Sequence, residues 1–359
     1  MSYTNGLDDP TAYFQTTLYT GTGSSQAITN TGNSNLQPDW VWIKNRDGTR
    51  DHYVYDSVRG VNKNLFPNLT NAESTDDNDL MSYNTDGFTL GGEAGVGASG
   101  ETFVSWQWKA GTSFTNDASS TGIGSIDSAG SVSTTAGFSI ISYTGNGTGG
   151  ATIAHGLGVT PNVLIIKNRA DASQAHWAVY HDKSFVNASD PNIVYLQNTA
   201  AAADDTNIRH STATTNSTVF SVGDYNGVNG SSDNIIAYCF AQKQGYSKFG
   251  SYAGNNNANG TFVYTGFKPA FLMVKRYGGG TQNWIILDNK RNPFNLTSLN
   301  LKPNSNAATA TNNGVDLLSN GFKFRSSDGD SNGYSDGYIY MAFAENPLVG
   351  SNFVPTTAR

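Results

Sequence analysis

The 359-residue sequence contains a single cysteine, Cys239, so an intramolecular disulfide is excluded. The 21 Lys and Arg residues are outnumbered by 28 Asp and Glu residues, and the formal net charge is −7. This balance argues against the basic face that nucleic-acid binding requires. No apolar run approaches the roughly 20 residues of a membrane-spanning helix. We therefore expect no nucleic-acid partner, no membrane span and no disulfide scaffold.

Glutamate is also scarce, because only four residues, at positions 73, 93, 101 and 345, are Glu. Glu favours helices, whereas Asp, Asn, Ser, Thr and the 40 glycines favour caps and turns. Hydrophobic residues make up 37% of the chain, which is enough to build cores and argues against disorder. The composition therefore predicts an all-β protein with long polar loops.

The N-terminal stretch "MSYTNGLDDPTAYF" has neither a basic region nor an apolar region, so we expect no cleaved export signal. The composition otherwise resembles that of extracellular proteins, although disulfides are excluded. A protein assembled onto a virus particle in the host cytoplasm meets both conditions. A bacterial protein exported by a C-terminal signal meets them as well.

One nine-residue pattern occurs three times, as "PDWVWIKNR" at 38–46, "PNVLIIKNR" at 161–169 and, shortened, "PAFLMVKR" at 269–276. Each copy has a proline six residues before a lysine; the pairs are Pro38 and Lys44, Pro161 and Lys167, and Pro269 and Lys275. The apolar residues between them predict a buried strand. Proline fits the strand entry, and we expect each lysine to carry its charge out to water.

Further landmarks accompany each copy in the same order, beginning with a Tyr-x-Gly upstream of the proline, at 19–21, 143–145 and 252–254. An aromatic strand ends at Asp56, Asp182 or Asp288, and a polar loop and two more short strands come after it. Five ordered landmarks in each copy indicate an internal repeat with a period of about 110–120 residues. Since catalytic sites are not usually triplicated, we interpret the repeated Lys and Asp residues as strand-end charges. Paired at a surface, they would contribute only about 0–1 kcal/mol.

The repeat predicts three tandem β-sandwich modules, jelly-roll-like, arranged as a rod. We place module one with an N-terminal arm at 1–112, a Ser/Thr/Gly-rich linker at 113–129, module two at 130–246, module three at 247–347 and a C-terminal arm at 348–359. The terminal arms have no counterpart in the repeat. We expect them to reach a neighbouring subunit of a homo-oligomer, with fraying as the alternative.

The sharpest local motif is "DGDSNG" at 328–333, which matches the opening of a calcium-binding loop. An EF-hand would need Glu at its twelfth position, but the chain has Ile339 there. We therefore expect at most a weak Ca²⁺ site formed by Asp328, Asp330 and Asn332, and no other cofactor. A polar hairpin loop without a metal is the competing interpretation.

The sequence contains no nucleophile elbow, zinc-protease motif or phosphate-binding loop, so we predict no catalytic residue. Tyrosines lie among small polar residues in the loops at 224–233 and 328–338. This mixture suits recognition of glycans or proteins, and it also suits solubility alone. The candidates for recognition are Tyr225, Tyr334 and Tyr338.

Segments of module three, "TGFKPAFLMVKR", "NWIILDNKRNPFN", "LLSNGFKFR" and "YIYMAFAENP", resemble a repeated β-domain of structural, tail-fibre-like proteins of marine and cyanobacterial tailed phages. The resemblance is closest over 262–347, looser in module two and loosest in module one. It carries over no catalytic residue. It implies a non-enzymatic protein of the virion surface, assembled in the host cytoplasm, whose partners are other virion proteins and a host surface glycan or protein.

Two alternatives remain open at this stage. The first is a capsid decoration protein of the same class of virion. The second is a secreted protein that binds or degrades polysaccharide. Module one, with its tryptophan-rich strands "WVW" at 40–42 and "WQW" at 106–108, departs most from the repeat, and we expect this module to have a specialised attachment role.

Overall fold

The computed structural model describes residues 7–170, 175–184, 193–203, 207–208 and 215–349. With 43% strand and 5% helix, the protein is all-β, as the composition predicts. None of the helices within the described ranges is long and apolar enough to cross a membrane. The predicted terminal arms lie largely outside the described residues, although Leu7 is buried in the largest hydrophobic core.

The strands fall into three groups along the chain, which we call unit one, unit two and unit three. Unit one contains β1 (Phe14–Thr20), β2 (Gln26–Ile28), β3 (Trp40–Asn45), β4 (His52–Asp56), β5 (Lys63–Asn64), β6 (Ser74–Thr75), β7 (Leu80–Tyr83), β8 (Phe88–Leu90) and β9 (Thr102–Trp108). It begins with a 3₁₀ turn at Pro10–Ala12, and one helical turn, α1 (Ala94–Gly97), precedes its last strand.

Unit two contains β10 (Thr112–Asn116), β11 (Ser128–Ser133), β12 (Phe138–Thr144), β13 (Ala151–Ala154), β14 (Val163–Asn168), β15 (Ala178–His181), β16 (Ile193–Tyr195), β17 (Val219–Val222) and β18 (Asn234–Phe240), with α2 (Ala118–Thr121) and α3 (Asn226–Asn229). Unit three contains β19 (Ser247–Ala253), β20 (Phe262–Tyr264), β21 (Phe267–Arg276), β22 (Trp284–Asp288), β23 (Val315–Leu318), β24 (Gly321–Phe324) and β25 (Gly337–Pro347).

The three units have the same order of strands in their main sheets. The orders are β1-β9-β3-β4, β12-β18-β14-β15 and β19-β25-β21-β22, and all these pairs are antiparallel. A smaller sheet faces each main sheet, with the orders β2-β8-β7, β13-β17 and β20-β24-β23. Each unit is thus a two-layered, sandwich-like body.

The three repeated prolines stand at one register position. Two residues after each proline, Trp40, Val163 or Phe271 pairs with the last strand of its own unit, opposite Trp108, Phe240 or Phe343. In unit three the proline lies inside β21, at a shift of register with β25. A position without an amide donor fits such an irregular strand entry.

The predicted linker at 113–129 is wrong. Its residues form β10, α2 and the start of β11, and these two strands at one edge, with β16 at the other, extend the main sheet of unit two to seven strands. The Gly, Asp and Asn residues of this segment are weak strand formers, but backbone pairing of Ser128 with Tyr143 places the segment on an existing sheet edge. Tertiary pairing therefore decides the structure of this segment.

Alternate residues of the Pro-to-Lys strands enter two different cores. Trp40, Trp42, Val163, Ile165, Phe271 and Met273 enter one core that all three units share. Their neighbours enter the core of their own unit, for example Val41 in unit one and Leu272 in unit three. This burial on both faces explains why the sequences of these strands are continuous apolar runs.

The shared core replaces the predicted rod. The ring centroids of Trp40 and Tyr238 are 4.7 Å apart, those of Phe240 and Phe343 6.0 Å, and those of Phe14 and Phe343 5.4 Å, so each pair of units is in contact. The tryptophans of module one lie inside this core and cannot serve attachment. The units form a closed ring of three because each main sheet turns one apolar face to the centre.

We expect that residues 247–347, expressed alone, do not fold into a stable monomer. The isolated unit would expose Phe271, Met273 and Phe343, which the other two units cover in the full chain. Circular dichroism in the aromatic region and binding of a hydrophobic dye would report the loss of fixed packing. A soluble monomer with a cooperative unfolding transition would contradict the shared core.

Candidate functional site

The repeated lysines are buried, contrary to expectation. Lys44, Lys167 and Lys275 are each 0% exposed. Each ammonium group donates to two main-chain carbonyl oxygens, at Asn45 and Gly48, at Ala175 and Thr70, and at Gln282 and Thr199 respectively. A buried cation costs several kcal/mol unless its protons are bonded, and these carbonyls supply the bonds.

Two of these lysines join neighbouring units. Lys167 Nζ of unit two lies 2.9 Å from Thr70 O of unit one, and Lys275 Nζ of unit three lies 2.9 Å from Thr199 O of unit two. Burial lowers the pKa of Lys275 to about 7, and burial lowers the pKa of Lys44 to about 8. Lys167 and Lys275 therefore cross-link the ring, and none of the three repeated lysines ends its strand in solvent.

Two of the three repeated aspartates, Asp56 and Asp288, pair with arginines and not with the repeated lysines. Asp56 and Arg59 are 2.5 Å apart, Asp288 and Arg291 are 2.6 Å apart, and all four side chains are fully buried. The aspartate and the lysine lie at opposite ends of the paired strands, because Trp40 pairs with Asp56 whereas Lys44 pairs with His52. The surface Lys–Asp pair proposed from the sequence is therefore wrong.

Each buried carboxylate also accepts a hydrogen bond from the neighbouring unit. Tyr238 of unit two donates its hydroxyl to Asp56 Oδ2 at 2.7 Å. Trp106 of unit one donates its indole N–H to Asp288 Oδ2 at 3.1 Å. By register, Trp106 and Tyr238 occupy equivalent positions, opposite Trp42 and Ile165. The two units therefore use one arrangement of donor, carboxylate and guanidinium.

The third interface departs from this arrangement at all three positions. The sequence repeat equates Asp182 with Asp56 and Asp288. By register, however, the residue opposite Val163 is His181, so Asp182 lies one residue after the equivalent position. Ser184 stands where the other units have arginine, and Met341, which has no N–H or O–H to donate, stands where they have a ring donor. His181 Nε2 instead donates to the main-chain oxygen of Tyr340 in unit three.

A second set of bonds also runs around the ring. Trp177 Nε1 donates to Phe66 O, Trp284 Nε1 donates to Tyr195 O, and His52 Nε2 donates to Lys302 O, all between units and at 2.9–3.0 Å. The acceptor always belongs to the preceding unit in the cycle. His52 Nδ1 accepts from Trp42 Nε1, which fixes the tautomer that donates outward.

The buried groups of reactive type, His52, His181 and Cys239, are held in inert forms. Burial lowers the pKa of His181 to about 4 and lowers that of His52 well below its usual value, so both rings are neutral at pH 7. Burial raises the pKa of the Cys239 thiol to about 12, which disfavours the nucleophilic thiolate. The repeated polar residues are therefore suited to holding the units together.

The three candidate calcium ligands contact other protein groups. Asp330 accepts from the backbone N–H of Asn283 at 2.7 Å and pairs with Lys302 at 3.2 Å. Asp328 accepts from Asp330 N and from Asn312. In the part of the chain that the structure describes, no group of three or more His, Cys, Asp or Glu side chains could hold a metal ion.

Asn332 has a counterpart in unit two that explains its place in the sequence. Asn332 Nδ2 donates to Asn255 Oδ1, Asn257 O and Ser326 O. Asn229 Nδ2 makes the same three kinds of bond, to Asn146 Oδ1, Thr148 O and Gly223 O. Both asparagines are 0% exposed. In two units this buried asparagine holds the loop that follows the Tyr-x-Gly, so its presence is explained without a metal.

The three candidate recognition tyrosines have different environments. Tyr338 is 0% exposed, donates to Gly329 O and stacks on Tyr252, so it cannot contact a partner. Tyr225 is half-buried and stacks on His176. Tyr334 is 40% exposed, and the guanidinium of Arg276 lies 3.6 Å from its ring centroid. Of the three, Tyr334 presents the most accessible ring.

Sequence reasoning missed the arginines that complete the buried carboxylate sites. A signal was present, because "DSVR" at 56–59 and "DNKR" at 288–291 share Asp and Arg three residues apart, whereas unit two has "HDKS" at 181–184. Aligning Asp182 with the other two aspartates concealed this difference.

These features define a class of protein: an all-β chain whose antiparallel, sandwich-like layers are joined by buried polar residues. A family model described as a domain of unknown function, DUF7483, matches residues 9–347, and the chain belongs to this family. The match extends from the start of unit one to the end of unit three. No curated protein and no solved structure matches the chain.

We expect Asp288→Asn to lower the free energy of unfolding by about 3–5 kcal/mol, because it leaves Arg291 as a buried, unpaired cation. Urea denaturation would measure the loss. The matched control is Asp316→Asn, which breaks a pair with the 41%-exposed Arg325 side chain and should cost about 0–1 kcal/mol. Equal losses in the two variants would show that the buried pair does not hold the interface.

We expect stability to rise with pH above neutrality through Lys275. Its folded-state pKa is lowered to about 7, whereas an unfolded lysine titrates near 10.4. Between these values the unfolded chain binds more protons, so the unfolding free energy gains about 1 kcal/mol per pH unit from this residue. Lys275→Met should remove that contribution between pH 7 and 9. The exposed control Lys183→Met should leave the slope unchanged, and an unchanged slope in Lys275→Met would refute the lowered pKa.

We expect EDTA to leave the melting temperature unchanged, because the side chains of Asp328, Asp330 and Asn332 already bond to protein groups. A metal stabilises a fold only when it binds the folded state. Differential scanning fluorimetry with and without EDTA would check this. A large fall in melting temperature that Ca²⁺ reverses would establish the metal site.

Proposed function

We propose that this chain is a non-enzymatic surface protein of a tailed-phage virion, tail-fibre-like, that binds the host surface. The resemblance of module three to tail-fibre-like phage proteins supports the virion. The absence of enzymatic activity is supported by one observation above all. The ionisable residues that recur at equivalent positions, such as Lys44, Lys275, Asp56 and Asp288, are buried and bonded within the ring.

Residues that bind and turn over a substrate must reach it, and these residues do not reach solvent. Repetition of a polar residue in one chain therefore has a structural explanation here. The shared core also gives a rigid body, since its aromatic side chains hold three sheets against one another. Rigidity suits adhesion, because little conformational entropy is lost when a preformed surface binds.

The surface around Tyr334 supports host recognition. The Arg276 guanidinium lies over the tyrosine ring and is itself held by two bonds to Asp336, at 2.8 and 2.5 Å. Gln282 donates to the tyrosine hydroxyl at 3.3 Å. An aromatic ring fixed in this way at the surface offers contact area at a low entropic cost. Several copies of the chain in a homo-oligomer would add avidity through effective concentration.

A capsid decoration protein is the second candidate. One observation favours it over a tail fibre, which is that the units close into a ring with a common core and do not extend as a rod. Both candidates place the chain on the virion surface among other virion proteins. A polysaccharide-degrading enzyme is the competing class that the experiments below exclude or establish.

Mass spectrometry of purified particles tests the location, and labelling with an antibody against the chain separates tail from capsid in electron micrographs. We expect the chain on the particle. Absence of the chain from purified particles would refute the virion proposal.

Host binding and catalysis are tested with the purified chain. We expect it to bind host cells and to release no saccharide from host polysaccharide. Tyr334→Ala should weaken cell binding, while Tyr264→Ala, which alters a 55%-exposed tyrosine on β20, serves as the matched control. Release of sugar by the purified chain would overturn the non-enzymatic proposal, and equal effects of the two variants would remove Tyr334 from the binding surface.

A further inference from the structure

A small cavity lies at the seam between unit one and unit three. Its volume is about 50 Å³, which is room for several water molecules, since one water needs roughly 10–15 Å³ of such space. Phe14, Ala270 and Ala344 form an apolar floor and are nearly fully buried. Exposed Gly32 and Lys290 lie at its mouth, so the cavity opens to the surface.

Two buried polar side chains line this cavity without a bonding partner. Thr16 is 4% exposed and Asn289 is 7% exposed. The atoms Thr16 Oγ1 and Asn289 Oδ1 are buried and have no hydrogen-bond partner among the residues that the structure describes. A buried polar atom left unbonded costs about 1–3 kcal/mol, so two at one cavity call for an explanation.

Units one and two show what normally fills this position. In unit one, Ser57 Oγ donates to Asp39 Oδ1 at 2.7 Å, and the backbone N–H of Ala110 donates to Asp39 Oδ2 at 2.9 Å. In unit two, Asn162 Nδ2 donates to Asp182 Oδ2 at 2.8 Å. A carboxylate or carboxamide therefore fills the space in both units.

Unit three keeps the backbone of this arrangement and lacks its side chain. Asn289 N donates to Ala270 O at 3.0 Å, just as Ser57 N donates to Asp39 O at 2.8 Å. Ala270 thus occupies the place of Asp39 and has no polar side-chain group to offer, which leaves Asn289 Oδ1 without the kind of bond that Ser57 makes in unit one. Unit three therefore keeps Asn289, the counterpart of Ser57 and Asp182, but has no polar side chain at Ala270 that could bond to it.

Thr16, which carries the other unpaired atom, also departs from the repeat. Thr16 occupies the position that Ile140 and Phe249 occupy in the other two units. Both of those side chains are apolar and fully buried in their cores or nearly so. Replacing a larger apolar group by threonine opens space beside Ala270 and adds a hydroxyl. Two independent departures from the repeat therefore meet at one cavity.

We propose that this cavity binds the acetamido group of an N-acetylated amino sugar. The acetamido N–H donates to Asn289 Oδ1, its carbonyl oxygen accepts from Thr16 Oγ1, and its methyl group packs on the floor formed by Phe14, Ala270 and Ala344. The ligand supplies the carboxamide-like group that Asn162 supplies within unit two. This inference rests on the proposed binding of a host surface, because N-acetylated amino sugars are constituents of bacterial envelopes.

The lining favours a neutral amide over a carboxylate. The Glu345 carboxylate is also part of the lining and is paired with Lys268 at 2.5 Å, so a second carboxylate would meet like charge. An amide also matches both unpaired groups, because it has one donor and one acceptor. The mouth beside Lys290 leaves the sugar ring outside the cavity, in contact with solvent.

The test is a titration of the ¹⁵N-labelled full-length chain with N-acetylglucosamine, followed by NMR, with glucose as the matched sugar. We expect shifts of the backbone amide signals of Thr16 and Asn289 with the first sugar only. Affinity on the order of millimolar is expected, since few ligand atoms are buried. Equal shifts with glucose would overturn the proposal. Shifts with N-methylacetamide but none with N-acetylglucosamine would also overturn it, because the site would then exclude the sugar.

Ala270→Asn fills the cavity with the side chain found in unit two and should weaken binding at least tenfold. Ala307→Asn makes the same substitution at an exposed position and should leave binding unchanged. Asn289→Ala removes the acceptor without filling space and should also abolish the shifts, which keeps the test valid if Ala270→Asn does not fold. Binding retained in Asn289→Ala would refute the proposal.

The titration uses the purified chain, so its result is separate from the question of the virion. A chain that binds N-acetylglucosamine but is absent from particles would refute the proposed function and retain this site. A chain that is found on particles but does not bind the sugar would refute this site and retain the proposed function.

Discussion

The packing of the three units depends on two fully buried carboxylates, Asp56 and Asp288. An uncompensated charge in such a place costs several kcal/mol, which is a large part of the stability of an ordinary domain. Each carboxylate is therefore paired with an arginine three residues later and receives a ring donor from the neighbouring unit. Neither aspartate is satisfied fully within its own unit, so units two and three must each pack on unit one for the two charges to be accommodated.

The interface between units two and three supports this account through its differences. His181 replaces the aspartate, Ser184 replaces the arginine, and Met341 replaces the ring donor. Removing the carboxylate removes the need for both of its partners, so the three changes are mutually consistent. The neutral His181 ring still bonds across the same interface, to Tyr340 O. One chemical requirement therefore explains both the repeated residues and their exception.

The same comparison between units separates structural polar residues from candidate functional ones. Asn332 and Lys275 have counterparts that make equivalent bonds, in Asn229 and in Lys167. Thr16 stands where the other units have apolar residues, and Asn289 keeps the polar position of Ser57 and Asp182 but has lost its partner at Ala270. The polar atoms of Thr16 and Asn289 are unbonded among the described residues. Polar groups that have no bonded counterpart in the other units, or have lost its partner, are thus better candidates for ligand binding than polar groups that keep the repeated bonds.

The sequence predicts the all-β class, because residues that favour turns are abundant and the apolar runs have the length of strands. It does not predict the ring. An apolar run such as "WVWI" indicates burial on both faces, but it does not say whether a second face is covered by the same unit or by another. The buried lysines were missed for a related reason, since a lysine is ordinarily solvated, and the main-chain carbonyl oxygens that reverse this preference come from loops of the same unit or of a neighbouring one. The segment at 113–129 was missed because its Gly, Asp and Asn residues have low strand propensity, which pairing overrides.

The central claim is that the three units form one cooperative body. Hydrogen–deuterium exchange of the full chain, compared with that of Leu164→Ala, tests it most directly, because Leu164 lies in the separate core of unit two. The account predicts that the substitution lowers protection equally in β9, β18 and β25, the second strands of the three main sheets, since all three open only with the whole molecule. Loss of protection confined to β18, with β9 and β25 unchanged, would show that the units unfold independently and would contradict the shared core.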